Sequence, residues 1–495
     1  MTCEKRVCSE VSVFERIFHP ENIAIIGVSP KGSMFGSGIL NSISAIGFEG
    51  GIYPVNPSGG EYNGHKIYRS LSEIPVPIDF AVIAVRAEFV PATLEECRIN
   101  GVAGVEILSA GFSEAGTQQG KELEEEIRKI SEKGIRVVGP NCFGIYCPAS
   151  GLTLLPGPDL SRESGPVAFI SQSGGMSIDF AHIGKWMGVR FSKVISFGNG
   201  VDLRETELLK YLGDDPETRV IAMYIEGVEA GREFFEVLKD VAARKPVIIN
   251  KGGLTEAGSR AVASHTASMG GSRIIWESVI RQAGAVQVED LWEMAYTSLA
   301  FSMIPQGIYK GITVAGGGGA LGVGACDAAE RFGQELPLLE GDIRDAIMEV
   351  LPKPGSSANN PIDAANPFVA PQAYKEVFLN AAKDQRVDAQ ILIQLLHHYK
   401  SVSSGLGVGV RDITPYKELA EVVGTVAAET GKPIMLVLPD FKQGRDSLDI
   451  EEVIREARDA FLKQGVPVFD DLNNALGALR HVTRYYSWKM MREIR

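Results

Sequence analysis

The sequence predicts an α/β protein of several domains, each built on a parallel sheet covered on both faces by helices, the first of them Rossmann-like. Three observations carry this. The chain has 495 residues, too long for one hydrophobic core and enough for about three domains. Apolar runs of strand length alternate with helix-length stretches, the pattern of βα units whose strands are buried on both faces. The 55 glycines exceed the roughly 7% of average usage, and they concentrate where strands turn into helices.

The elements follow in order. A short amphipathic piece at Val11–Phe18 precedes the first apolar run, Asn22–Val28, which leads through a glycine-rich turn into a helix over Gly38–Ile46. Gly51–Val55, Asp79–Val85, Gly104–Leu108 and Ile135–Val138 read as further strands, with helices over Val90–Asn100 and Gly120–Glu132. Gly151–Gly165, rich in Gly, Pro and Ser, reads as a linker. A second series has strands at Pro166–Ser171, Phe191–Ser196, Val220–Ile225 and Pro246–Asn250, with helices at Gly174–Met187, Arg204–Leu212, Gly231–Arg244 and Ser272–Ala283. A third has strands at Gly311–Ala315, Ala389–Leu395 and Pro433–Val437, a helix running through Glu330, and a Pro/Asn/Ser-rich surface segment at Lys353–Pro371. The expected domains are 10–148, 151–302 and 307–485.

Charge and cysteine usage narrow the function. Net charge is −13 with no basic run, which argues against nucleic acid as the main partner, because phosphate neutralisation needs clustered Lys and Arg. Six scattered cysteines suggest no disulfide framework, and Cys142 and Cys147 lack the second pair a zinc site needs. The acidic N-terminus resembles no secretory signal. Glycines interrupt the longest apolar run, Ile312–Cys326, so it is no membrane span. A reducing cytoplasm is the expected compartment, with no metal site on the chain.

Four stretches carry chemistry. The turn from Gly27 to Gly38 offers backbone amides and a helix N-terminus to a diphosphate. It is neither a strict GxGxxG nor a P-loop, since Ser33 follows Gly32. The next strand ends Val55-Asn56-Pro57-Ser58, without the acid a nicotinamide dinucleotide requires. Gly139–Gly144 (GPNCFG) ends the first series; Asn141 there suits a carboxylate or phosphate, and Cys142 reads as a small buried thiol. Ser171-Gln172-Ser173-Gly174-Gly175 combines two hydroxyls and free amides at a helix start, either an anion nest or a simple N-cap. Glu226 follows a strand and is either a surface carboxylate or the partner of a histidine whose tautomer it fixes. No G-x-S-x-G elbow surrounds Ser173, which disfavours a serine hydrolase. The pair His397-His398 reads as structural or as a rim contact.

The histidine in question is His265. It lies in Lys251–Ser272 (KGGLTEAGSRAVASHTASMGGS), a stretch so poor in apolar side chains that it reads as a loop unable to anchor in a core. That loop is either an incidental surface segment or a mobile carrier of one imidazole.

Taken together, the ordered motifs IAIIGVS, YPVNP, ILSAGFSEAG (Ile107–Gly116), GPNCFG, ISQSGG, SFGNGVD (Ser196–Asp202), EAGSRAVASHTAS and the Gly316–Gly319 turn span nearly the whole chain. In them the chain resembles the α subunit of the ADP-forming acyl-CoA synthetases, relatives of succinyl-CoA synthetase. The resemblance implies a Rossmann-like CoA-binding domain followed by two flavodoxin-like domains. It implies that His265 carries a phosphoryl group, that Glu226 is its carboxylate partner, and that Ser171–Gly175 receives the phosphohistidine. It implies CoA binding at Gly27, Ser29, Pro30, Lys31, Gly32 and Ser33 and at the next strand ends, Val55, Asn56, Pro57, Val85 and Arg86, with the acyl and thioester end at Asn141 and Cys142. Relatives usually carry Gly after the His-Thr pair; here it is Ala267, which stiffens the loop.

The implied reaction joins acyl-CoA, ADP and phosphate to give acid, CoA and ATP, through acyl phosphate and phospho-His265. No ATP-grasp module is recognisable, so ATP/ADP and Mg²⁺ are expected on a β subunit of that type, in an α2β2 heterotetramer. Two other classes compete: a CoA-binding regulatory protein without catalysis, and an NAD-dependent dehydrogenase, which the missing acid after Val55 disfavours.

Overall fold

Strand β1 (Asn22–Ile26) lies inside a five-stranded parallel sheet with β2 (Gly51–Val55) on one side and, on the other, β5 (Phe80–Ile83), then β6 (Gly104–Ile107) and β7 (Arg136–Val138). Between β2 and β5, β3 (Gly60–Tyr62) and β4 (His65–Ile67) form a separate hairpin. A computed structural model describes residues 13–32, 35–154, 157, 159–266 and 272–494, with the side chains of 263–266 excepted. It divides into two compact units, Met1–Met294 and Ala295–Arg495.

The first unit holds a second sheet. Its strands β9 (Ser164–Ser171), β10 (Phe191–Ser196), β11 (Val220–Ile225), β12 (Val247–Lys251) and β13 (Val286–Val288) are parallel, and β8 (Gly144–Tyr146) pairs antiparallel to β10 at the edge. The second unit has β14 (Ile312–Gly316), β15 (Ile362–Asp363), β16 (Ala389–Ile393), β17 (Ile434–Val437) and β18 (Val468–Phe469), all parallel. Numbered by appearance within each sheet, the parallel strands of all three run 2-1-3-4-5. The chain thus turns back between the first and third strand three times, at β1/β5, β9/β11 and β14/β16. In open α/β sheets such switch points leave a crevice at the carboxyl ends, where ligands bind.

Alternation along β1 explains why both faces need cover. Ile23 and Ile25 point into a core with Phe14, Ile39, Leu40 and Ile43, whereas Ala24 and Ile26 face Leu94, Cys97 and Ile127. The first of these cores continues without a break into the second sheet through Cys142, Ile145, Ala168 and Ile170. The second unit has its own core around Ala315, Leu392, Leu436 and Phe461.

Among the differences from the sequence reading, four stand out. The first helix begins at Phe35 rather than Gly38. Lys251–Ser272 is not simply a loop: Glu256–Thr266 is helical. It begins behind Thr255, whose Oγ1 accepts the Gly258 N–H at 3.0 Å, and it buries Val262. The linker is packed, with Leu152 and Leu154 buried and Leu152 bridged to Cys147. The segment Lys353–Pro371 supplies β15 and buries Ala358, Ile362 and Ala364, so it is part of a core rather than a surface strap.

Candidate active site

The first candidate site sits at the β1/β5 switch point. Gly27 follows β1 with φ +104°, and a Cβ there would lie 2.3 Å from the Ala84 carbonyl oxygen. Only glycine lets the chain pass so close to its neighbour, and the passage opens the turn toward the start of the helix Phe35–Ile46. Beyond it, the Ser29 N–H donates to Ser37 Oγ (3.1 Å), and Ser29 Oγ accepts the Lys31 N–H (3.2 Å). Pro30, Lys31 and Gly32 form the exposed tip, while Ser33 lies outside the described residues. Because β2, β1 and β5 are neighbours, Val55, Asn56 and Pro57 and then Val85 and Arg86 emerge on the same edge. Asn56 Oδ1 accepts the Ser58 N–H at 2.9 Å, closing its own turn. The Arg86 guanidinium lies over the Phe89 ring at 4.9 Å.

At the far strands of this sheet the GPNCFG turn is zipped to the SFGNG loop. The Asn199 N–H donates to the Pro140 carbonyl (3.0 Å), and Asn141 Nδ2 donates to Asn199 Oδ1 (3.3 Å). Asn199 Nδ2 in turn reaches the carboxylates of Glu114 (2.6 Å) and Glu124 (2.8 Å). Cys142 is buried, its thiol donating to the Ile107 carbonyl at 3.3 Å, and burial pushes its pKa up. It is the packing thiol that its sequence setting suggests.

The second candidate site is at the β9/β11 switch point. Ser171 Oγ ends β9, donating to the Ser173 carbonyl (2.7 Å) and accepting the Ser173 N–H (3.1 Å). Ser173 Oγ caps the helix Gly174–Met187 by accepting from Met176 (3.4 Å). Gly174 packs against Phe143, whereas a Cβ on Gly175 would meet little. Gln172 points elsewhere than an anion nest requires: its Oε1 accepts the N–H groups of Glu226 (2.9 Å) and Gly227 (3.3 Å). It braces the neighbouring strand end.

Glu226 follows β11 and is 5% exposed, so it is not a surface carboxylate. The Tyr224 hydroxyl donates to its Oε1 at 3.2 Å, and burial beside that carboxylate pushes the phenol's pKa up. On the next strand, β12 ends in Lys251, also 5% exposed. Its ammonium donates to the carbonyls of Glu226 (2.7 Å) and Gly252. Burial pulls the Lys251 pKa down to about 8, with Glu226 opposing the drop. From there the chain enters the helix Glu256–Thr266, which carries His265 in its last turn and packs against the turn Ser113–Ala115. The His265 side chain and Ala267 lie outside the described residues.

Three adjacent strand ends of one sheet therefore present a hydroxyl-lined helix start, a buried carboxylate and the root of the histidine-bearing helix. Sequence reading missed Tyr224, Lys251, Asn199 and the orientation of Gln172. Tyr224 had a signal, since residues two apart on a strand share a face. Lys251 had a weaker one, a charged residue closing a strand that opens on three apolar residues. In the second unit His397 packs on His398 (4.2 Å between ring centres) and on Phe441 (5.3 Å), and among the described residues no group of three or more candidate ligands forms a metal site.

The chain is similar to known proteins over most of its length. A family profile described as a CoA binding domain matches residues 21–148, and one described as a succinyl-CoA ligase like flavodoxin domain matches 164–301. The α subunit of acetate–CoA ligase (ADP-forming) I of Pyrococcus furiosus is 33% identical over 96% of this chain and 98% of its own length. Acetate–CoA ligase (ADP-forming) I of Archaeoglobus fulgidus is 36% identical over 77% of this chain but only 54% of its own length. Among solved structures, the dinucleotide-forming acetyl-coenzyme A synthetase 1 of Ca. Korarchaeum cryptofilum, in complex with phosphate and ADP, superposes with a TM-score of 0.81 at 30% identity, covering 97% of this chain and 99% of that one.

Proposed function

The chain belongs to the ADP-forming acyl-CoA synthetases of the succinyl-CoA synthetase superfamily, and from that premise we propose that it carries the phosphoryl group of the reaction on His265. It is an acid–thiol ligase and the CoA-binding subunit of its synthetase, with a Rossmann-like CoA-binding domain followed by two flavodoxin-like domains. We divide these at 10–148, 151–302 and 307–485.

CoA binds as substrate at the β1/β5 edge. Its diphosphate takes the amides of the turn from Gly27 through Ser29, Pro30, Lys31, Gly32 and Ser33, and Val55, Asn56, Pro57, Val85 and Arg86 flank the rest. Support comes from the glycine passage at Gly27, which a side chain would fill, and from the helix N-terminus behind it. Asn141 receives the acyl end, with buried Cys142 beneath it as packing.

Phosphate attacks the thioester carbonyl, the C–S bond breaks, and acyl phosphate and CoA result. An imidazole nitrogen of His265 then takes the phosphoryl group and the acid leaves. Glu226 accepts the other ring N–H, which fixes the tautomer and offsets charge on the ring. The Ser173 hydroxyl and the helix-start amides of Gly174 and Gly175 hold the phosphoryl oxygens, Ser171 braces the turn through its bonds to Ser173, and Gln172 holds Glu226 in place. Transfer to ADP then gives ATP. The chemistry needs mostly positioning and charge neutralisation, which is what this edge supplies.

The carrying observation is the convergence of the Ser171–Gly175 turn, buried Glu226 and the root of the His265 helix on adjacent strands β9, β11 and β12. We assign ADP/ATP and Mg²⁺ to an ATP-grasp β subunit, in an α2β2 assembly in the cytoplasm. The near-complete match to a relative called an α subunit supports a separate partner; among the described residues no helix is long and apolar enough to cross a membrane. Incubating the chain and that partner with acetyl-CoA and ³²P-orthophosphate tests the reading. Wild-type chain acquires an acid-labile label, and His265→Ala acquires none. Full labelling and turnover in His265→Ala would overturn the assignment.

A further inference from the structure

Glu226 is held from three sides, and two of the holding groups come from residues with no assigned part in the reaction. Lys251 is the last residue of β12, and its buried ammonium donates to two main-chain carbonyls. One belongs to Glu226 on the neighbouring strand end. The other belongs to Gly252, the first residue of the segment leading into the helix Glu256–Thr266. A single side chain thus bolts the backbone of the carboxylate to the root of the helix that carries His265. The Trp276 ring packs against the same ammonium at 5.0 Å from its centre, so the lysine has little room to leave. Tyr224, two residues before Glu226, donates its hydroxyl to the carboxylate itself. Gly252 closes the box, because a Cβ there would lie 2.7 Å from the Tyr224 hydroxyl and 3.5 Å from Glu226 Cγ.

We propose that Lys251 and Tyr224 are positioning residues for the phosphoryl transfer, Lys251 by fixing the Glu226 backbone relative to the His265 helix and balancing the buried carboxylate, Tyr224 by fixing the carboxylate's orientation. The inference rests on the reading of Glu226 as the partner of His265. Its physical basis is that a buried carboxylate must be compensated to stay ionised, and that an acceptor aligns an imidazole only if it is itself held. A lysine spent on two carbonyls is not a fold-stabilising ion pair. Removing it leaves the buried Glu226 carboxylate without its counter-charge and two carbonyls without this donor, so it costs the fold as well as the transfer, and the rate of transfer in the folded chain is what separates the two.

The test uses the full chain with the ATP-grasp subunit, acetyl-CoA and ³²P-orthophosphate, following the rate of acid-labile labelling in a single turnover. Lys251→Met slows labelling roughly 10- to 100-fold, the scale of losing a hydrogen-bonded charged group. Tyr224→Phe slows it by up to about tenfold. Both leave the KM for acetyl-CoA close to wild type, and Lys251→Met also lowers the melting temperature. On a Glu226→Gln background neither substitution slows labelling further, because the interaction through which they act is already gone; a general packing role would add its own loss. Tyr224→Phe deletes one oxygen and keeps the test alive if Lys251→Met fails to fold. Wild-type labelling rates in both variants, or additive losses on the Glu226→Gln background, overturn the proposal and leave the His265 assignment standing. Absence of label on the wild-type chain overturns both.

Discussion

Glu106 shows what a single residue contributes beyond its place in a pattern. It lies in β6, buried, with Oε2 accepting the Ile145 N–H at 2.9 Å. Burial pushes its pKa from 4.5 up to about 8. The folded chain therefore keeps this proton where the unfolded chain has released it, and between pH 4.5 and about 8 the folded state binds more protons. Stability must fall as pH rises through that window, with no effect below it and a constant deficit above it. At neutral pH the deficit is on the order of 3 kcal/mol. Glu106→Gln, which never ionises, should flatten the decline: the melting temperature of wild type drops between pH 5 and 8 by several degrees more than that of the variant. Equal slopes in a pH series of thermal melts would show that Glu106 is ionised in the fold. Nothing in the sequence marked this residue. Its spacing in GVEILSAG reads like any strand position, and what buries it is β8, which comes from the other sheet. Cys142, by contrast, was legible as a packing thiol because no histidine partner lies near it in the sequence.

At the scale of elements, apolar runs and glycine turns placed most strands and helices to within a few residues, because parallel strands buried on both faces leave a continuous apolar signature. Several of the shortest elements left none. Strand β8 has three residues and β15 and β18 two each, too few for a period to be read. The helix Glu256–Thr266 was missed for a different reason: among its described side chains Val262 is the buried apolar one, so the stripe that marks a core-facing helix is not legible there. Its start was nonetheless written in Thr255-Glu256, a capping residue followed by an acid in the first turn. The SFGNG loop, zipped to the turn proposed to receive the acyl end, rests on one glycine. Gly198 has φ +53°, and a Cβ there would lie 2.3 Å from the carbonyl oxygens of Pro140 and Asn141. Gly198→Ala should push the SFGNG loop off the GPNCFG turn, at a cost of at least about 1–2 kcal/mol from the left-handed backbone alone and more from the clash. The expected readout is a lowered melting temperature together with a raised KM for acetyl-CoA. An unchanged KM would mean that Asn141 is held from elsewhere.

Across the whole molecule one strand order, 2-1-3-4-5, is used three times. The recurrence of strand, glycine turn and helix was visible in the sequence. The order was not, because hydrophobic pattern reports that a strand is buried and not which neighbour it pairs with. The order decides what the first switch point can recognise. It sets the ends of β2, β1 and β5 side by side, where a nicotinamide dinucleotide would need an acid at the end of β2 for its ribose. That end is Val55-Asn56, and Asn56 spends its side-chain oxygen on the Ser58 amide within its own turn. On the proposed reading, the turn after β1 holds a diphosphate whose adenosine is recognised without a ribose-directed carboxylate. Calorimetric melting of the full chain separates the possibilities. CoA at a hundred times its Kd should stabilise the folded first unit, Met1–Met294, by about 2.7 kcal/mol, seen as an upward shift of the transition that includes it. NAD at the same concentration should leave every transition where it was. A shift with NAD equal to that with CoA would mean that the edge of the first sheet reads only a diphosphate, and that selection for CoA lies with the residues around the acyl end.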